Sequence, residues 1–218
     1  MKTITIKGMG NATIKPDLIV VTMRLESEDK EYDKALNFAA NKIEELNKSL
    51  EEIGFKKDSI KTTNFNVHTN YENIRDNNGV YKNVFKGYAS IHNLKIEFDL
   101  DMKRLSTVLA VISNCLAKPE FSIAFTVKDQ ELVKKELLKS IANNAKEKAL
   151  ILCEASNVKL GELLSISYNF DEINLLSNTN YNVESRYMMK AEARCASIDI
   201  EPEDIKVNDS ATFVWEIK

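Results

Sequence analysis

The sequence predicts an α+β fold, with largely antiparallel sheet covered by two long helices and one shorter helix, in the order β-β-α-β-β-α-β-α-β-arm-β. Three observations predict it. Stretches with an apolar residue at every second position recur along the chain, and three other stretches repeat instead at steps of three and four, as helices with one apolar face do. Neighbouring alternating stretches are joined by turn signals rather than helices, which favours hairpins and antiparallel pairing. No linker rich in Gly, Pro or Ser separates two halves, so residues 1–218 read as one composite domain.

The first strand sets Ile4 and Ile6 against Thr3, Thr5 and Lys7. After two glycines, Ile19, Val21, Met23 and Leu25 continue a period of two on a second strand. A long helix is expected from about Glu31 to Ile53. Ala35, Ala39, Ile43, Leu46, Leu50 and Ile53 form its stripe, and Gly54 ends it as a left-handed cap. In the next strand Thr63, Phe65, Val67, Thr69 and Tyr71 share one face, and Asn64, Asn66, His68 and Asn70 share the other. The Asp76-Asn77-Asn78-Gly79 cluster signals a hairpin turn into a strand from about Val84 to Leu100, with Leu94, Ile96, Phe98 and Leu100 on one face.

Asp101 is placed to cap a second helix, about Met102 to Leu116, carrying Leu105, Val108, Leu109 and Ile112. Beyond Pro119, Phe121, Ile123, Phe125 and Val127 alternate as a short strand. The third helix, about Gln130 to Ser156 with Asp129 as its cap, shows a stripe of Leu138, Ala142, Ala145, Ala149 and Leu152, whose alanines allow close approach of another backbone. Gly161 leads into a strand with Leu164, Ile166, Tyr168 and Phe170 on one face. Residues 171–203 read as an irregular arm or a short helix. Ile205, Val207, Ala211, Phe213, Trp215 and Ile217 then form a closing strand, where Asp209 interrupts the apolar face, as at a bulge or a sheet edge.

Composition narrows the function. Hydrophobic residues make up 44% of the chain, enough for a real core, and disorder is disfavoured. Charged residues are 29% and nearly cancel to a formal charge of -3, which argues against nucleic-acid binding through a basic face. Cys115, Cys153 and Cys195 are widely spaced, form no CxxC and have only His68 and His92 to join them. They read as reduced thiols, with Cys115 and Cys153 as small core residues, and neither a disulfide framework nor a metal site is expected. No long apolar span points to a membrane segment. As the sequence stands the protein reads as cytoplasmic, with envelope or periplasm as the location if a leader has been removed.

Gly8-Met9-Gly10 raises the question of a phosphate cradle. Such a cradle places glycines between a strand and a helix N-terminus, whose amides hold the phosphate. Here strand-like residues lie on both sides and no third glycine follows, so the expectation is a bend between strands. The same stretch, Ile4-x-Ile6-x-Gly8-x-Gly10 followed by Pro16-Asp17, resembles the start of the SIMPL domain family. The resemblance continues through Leu50-x-x-x-Gly54, Asp58-Ser59-Ile60-Lys61-Thr62, Gly87-Tyr88 and Asn93-Leu94-x-Ile96. It extends to Ile123-x-Phe125, the alanine-rich helix closing on Lys148-Ala149, Leu160-Gly161, and the last strand into Trp215-Glu216-Ile217. The similarity is weakest over residues 171–200, and Glu201-Pro202-Glu203 lacks the glycine expected after the proline. It implies a bacterial α+β domain that self-associates, with relatives often exported to the envelope and some linked to stress or signalling. It brings no catalytic residues and no cofactor.

The residues themselves agree with a non-enzymatic protein. Asp101 and Asp129 have capping roles, His68 lies on a polar strand face, and no Gly-x-Ser-x-Gly, His-Glu-x-x-His or paired Cys–His signature occurs. Tyr181, Tyr187, Met188 and Met189, large side chains in a segment without an evident core, suit a contact arm. The first reading is therefore a self-assembling scaffold or a stress- or signalling-related interaction protein, a homo-oligomer whose protein partner is unspecified. The alternative is a small-molecule binding module or cryptic enzyme with Asn64, Asn66, His68 and Asn70 lining a pocket.

Overall fold

The computed structural model describes residues 2–75, 81–169, 173–179, 181–183 and 201–218. In chain order the elements are strands β1 (Lys2–Ile14) and β2 (Leu18–Asp29), helix α1 (Tyr32–Glu52), strands β3 (Lys61–Arg75) and β4 (Tyr81–Asp99), helix α2 (Met102–Asn114), strand β5 (Glu120–Thr126), helix α3 (Gln130–Ala155), and strands β6 (Leu160–Tyr168), β7 (Tyr181–Val183) and β8 (Ile205–Ile217). The class is α+β with antiparallel sheets, and β7 is a short addition within the expected arm. The Asp76-Asn77-Asn78-Gly79 turn and Phe170 lie outside the described residues. The chain divides into two compact units: Met1–Asp17 with Phe125–Thr179 and Pro202–Lys218, and Leu18–Ala124 with Asn180–Glu201.

In the first unit three antiparallel strands lie in the order β1-β8-β6. Helix α3 begins where Asp129 accepts the Leu132 N–H at 2.8 Å, the cap the sequence implied. Its buried row is Leu137, Ile141, Ala145, Ala149 and Cys153, which corrects the expected stripe, since Leu138 and Leu152 are exposed. Ala145 and Ala149 belong to both rows, and periodicity alone could not choose between the apolar residues on either side of them. Packing chooses, through the glycines of β1.

Gly8 and Gly10 do not bend the chain. They lie within β1, opposite Ala211 and Asp209 of β8, and α3 crosses directly over them. A β-carbon on Gly8 would stand 2.8 Å from that of Ala145, and one on Gly10 would stand 2.6 Å from Ile141 Cγ1. The glycines therefore serve a close approach of helix and strand, away from any junction of a strand with a helix N-terminus. Two further expectations change. Asp209 sits at no bulge, because the register of β8 with β1 is unbroken there; the pairing of β8 with β6 ends at Ala211. Opposite Gly10, its carboxylate accepts the Tyr168 hydroxyl at 2.7 Å. On β6, irregular pairing near Leu163 sets Leu163, Ile166 and Tyr168 opposite Trp215, Phe213 and Ala211, so Leu164 leaves the predicted row.

The second unit is a five-stranded sheet in the order β3-β4-β2-β5-β7. Ile19, Val21 and Met23 of β2, fully buried, stand opposite Phe98, Ile96 and Leu94 of β4. Helix α1 packs on β2 and β4 through Ala35, Ala39, Leu46 and Leu50. Each fully buried leucine contributes about 2 kcal/mol. The helix ends as Gly54 implied: at φ +89° its N–H reaches the Glu51 carbonyl, and the Phe55 N–H reaches that of Leu50. Asp101 caps α2 by accepting the Lys103 and Arg104 N–H groups at 2.9 and 3.1 Å. The predicted row Leu105, Val108, Leu109 and Ile112 is buried. Cys115 and Cys153 are buried free thiols; Cys195 lies outside the described residues.

Candidate functional site

An unpaired strand edge presents amides and carbonyls that another strand can complete, and native sheets blunt such edges. Three of the outer strands here are blunted. On β1, the Met9 N–H is donated to Asn144 Oδ1 at 3.0 Å, and the Lys148 ammonium donates to the Lys7 carbonyl at 3.3 Å. The pairing of β6 is interrupted twice, and β7 has three residues. Strand β3 is different. It has fifteen residues and no proline, and it carries no extra residue from Asn64 to Arg75. Among the described residues no strand lies beyond it.

One face of the β3–β4 hairpin carries a run of rings. His92, Ser90 and Tyr88 follow Leu94 at every second residue of β4, so this is the face that α1 covers further along. Phe65 stands against His92 with ring centroids 5.0 Å apart, Tyr71 against Phe85 at 5.7 Å, Phe85 against Tyr88 at 5.4 Å, and Tyr88 against Tyr32 at 5.4 Å. Phe65, Tyr71 and Phe85 remain 47%, 51% and 45% exposed. Phe85 and Tyr88 share a face only because the pairing passes over Lys86, from Asn70 opposite Gly87 to Tyr71 opposite Phe85. Gly87 makes that offset possible: its φ is +150°, and a β-carbon there would run into the Asp29 carbonyl.

The opposite face holds Asn64, Asn66, His68 and Asn70 in a row, as the alternation implied. The first three are exposed on an open sheet face. Asn70 lines a depression with Glu28, Asp29, Lys34 and Lys86. Its side-chain amide donates to Glu28 Oε1 at 2.9 Å, and Lys86 pairs with Glu28 Oε2 at 3.3 Å. At the other end, the His92 Nε2 lies 2.8 Å from Thr62 Oγ1, while its buried Nδ1 has no hydrogen-bond partner among the described residues. Burial pushes the His92 imidazole below its ordinary pKa of 6.5.

Of the residues expected to form a contact arm, Tyr181 stacks on Phe121 at 6.4 Å as β7 pairs with β5, so its ring is engaged within its own unit. Tyr187, Met188 and Met189 lie outside the described residues. Sequence reasoning missed Tyr32, Phe85 and Tyr88 as members of a cluster. The clue was an aromatic at positions 81, 85 and 88, a spacing that strict alternation does not gather on one face.

Among the described residues no group of three His, Cys, Asp or Glu side chains is placed to hold a metal ion. No helix among them is long and apolar enough to cross a membrane. A two-unit α+β chain of antiparallel sheets under long helices is the class defined by this architecture. The sequence matches the SIMPL family, described as a protein of unknown function (DUF541), over residues 4–215, and the chain belongs to that family. A comparison with curated proteins finds no match.

Proposed function

We propose that the protein is a non-enzymatic scaffold that assembles with copies of itself, in the manner of a stress- or signalling-related interaction protein. The observation that carries this reading is β3: a fifteen-residue strand with no strand beyond it among the described residues, beside a half-exposed aromatic face. Such an edge in a soluble sheet invites pairing. Tyrosine and phenylalanine are enriched where proteins meet, and contiguous exposed apolar surface marks a contact site. Light scattering coupled to size exclusion tests the reading over a wide concentration range. The expected result is a mass that is a stable multiple of the 24.8 kDa chain. A single-chain mass at every concentration would overturn it.

A further inference from the structure

We propose that two copies of the chain join β3 to β3, antiparallel, about a two-fold axis at His68, so that two five-stranded sheets become one continuous sheet. The inference rests on the self-assembly reading and names the surface it uses. A two-fold contact must be self-complementary, because each residue meets a residue of the same patch on the other copy. In an antiparallel pair centred on one residue, positions equally far before and after the centre stand opposite each other on the same face.

Read outward from His68, β3 meets that requirement four times. Val67 faces Thr69 of the second copy, two β-branched side chains. Asn66 faces Asn70, amide against amide. Phe65 faces Tyr71, ring against ring, and Asn64 faces Glu72, an amide donor against a carboxylate. Opposed β-branched, aromatic and hydrogen-bonding pairs are those that stabilise neighbouring strands. Glu72 is the one charged residue between positions 64 and 72, so no like charges meet in this stretch. Neighbouring axes give up the ring-against-ring pair. Centred on Thr69, Tyr71 faces Val67 and Asn73 faces Phe65; centred on Val67, Thr69 faces Phe65 and Tyr71 faces Thr63. The stretch of β3 without an extra residue begins at Asn64, where the self-complementary stretch also begins; the shift between Asn70 and Tyr71 is taken up by Lys86 of β4. Pairing here would also bring Phe65 and Tyr71 of both copies together on the ring-bearing face and cover them.

Position 68 is exposed, so substitutions there test the contact without disturbing the core. His68→Lys sets like charges face to face across the axis and should raise the dissociation constant of the pair about fivefold, as does His68→Glu. Mixing the two variants should restore assembly, since opposite charges then meet. In a Cys195→Ser background, His68→Cys should give a disulfide-linked dimer under mild oxidation. Asn73→Cys should not, because five residues from the axis on each copy separate the thiols by about 34 Å. Circular dichroism checks that each variant is folded. If the wild-type chain assembles, but the position-68 variants assemble unchanged and His68→Cys cross-links no better than Asn73→Cys, the β3 pairing is overturned while self-assembly stands. A wild-type chain that stays single at every concentration overturns both.

Discussion

A β-carbon on Gly8 would stand 2.5 Å from the carbonyl oxygen of Ile141, a strand backbone against a helix backbone with no room for a side chain between them. The spacing of β1 and α3 is thus set by what Gly8 lacks. Gly8→Ala has no flexible neighbour to displace, so the helix itself must shift, and the expected cost is about 3 kcal/mol, the upper range for overpacking a core. Gly10→Ala meets Ile141 Cγ1 first and the Leu137 carbonyl oxygen at 2.9 Å, a looser backbone contact than the one at Gly8, and should cost less, about 2 kcal/mol. Urea denaturation of the two variants would show the difference as two separate midpoints. Equal costs would contradict the account.

The Tyr168 hydroxyl and the Asp209 carboxylate form a half-buried hydrogen bond on the helix-covered face of a sheet. A hydrogen bond to a charged group contributes about 1.5–3 kcal/mol. Tyr168→Phe should therefore lose roughly 2 kcal/mol of unfolding free energy. Asp209→Asn, which keeps an acceptor, should lose less. A double variant whose loss equals the sum of the two single losses would show that the groups act independently.

The helix starts provide an internal comparison. Asp101 caps α2 with two backbone bonds, whereas Glu31 at the start of α1 makes no side-chain cap bond. Asp101→Ala should cost about 1 kcal/mol. Glu31→Ala should leave the thermal midpoint nearly unchanged, because the ion pair it loses, to Lys34, is exposed.

His92 makes stability depend on pH. Burial holds its folded-state pKa below 6.5, so between that lowered value and 6.5 the unfolded chain binds more protons than the folded one. Stability should therefore rise with pH across this window. The contribution is fully present above pH 6.5 and lost as pH falls through the folded value. His92→Gln keeps a polar group near Thr62 and removes the titration. Its denaturation midpoint should be flatter than wild type between pH 7.5 and 5, and an equally steep profile would assign the dependence elsewhere.

Much of the fold was legible because its signals are local. Asp101, Asp129 and Gly54 mark helix ends by bonds made within a few residues of themselves. The alternation of Ile19, Val21 and Met23 follows from the pleat of a single strand. The aromatic face was hidden because it depends on register. Phe85 and Tyr88 meet on one side only after β4 passes over Lys86 in pairing with β3, an event that neither strand records alone. The candidate edge was half legible: the alternating faces of residues 63–71 could be read in advance, but not which side of the strand would lack a neighbour.

The main elements, the caps at Asp101, Asp129 and Gly54, the alternation of faces and the family could all be read from the chain, because they rest on interactions short along it or on ordered motifs. Three features came from the assembled fold instead: Gly8 and Gly10 serve a helix contact, α3 turns its Ile141 row inward, and Asp209 stands opposite Gly10 in an unbroken β1–β8 register. Each of these depends on a partner more than a hundred residues away, or on a helix crossing above, or on a strand inserted alongside. Periodicity cannot report on such a partner, because it describes the face a residue shares with its own element and not the backbone that arrives opposite it.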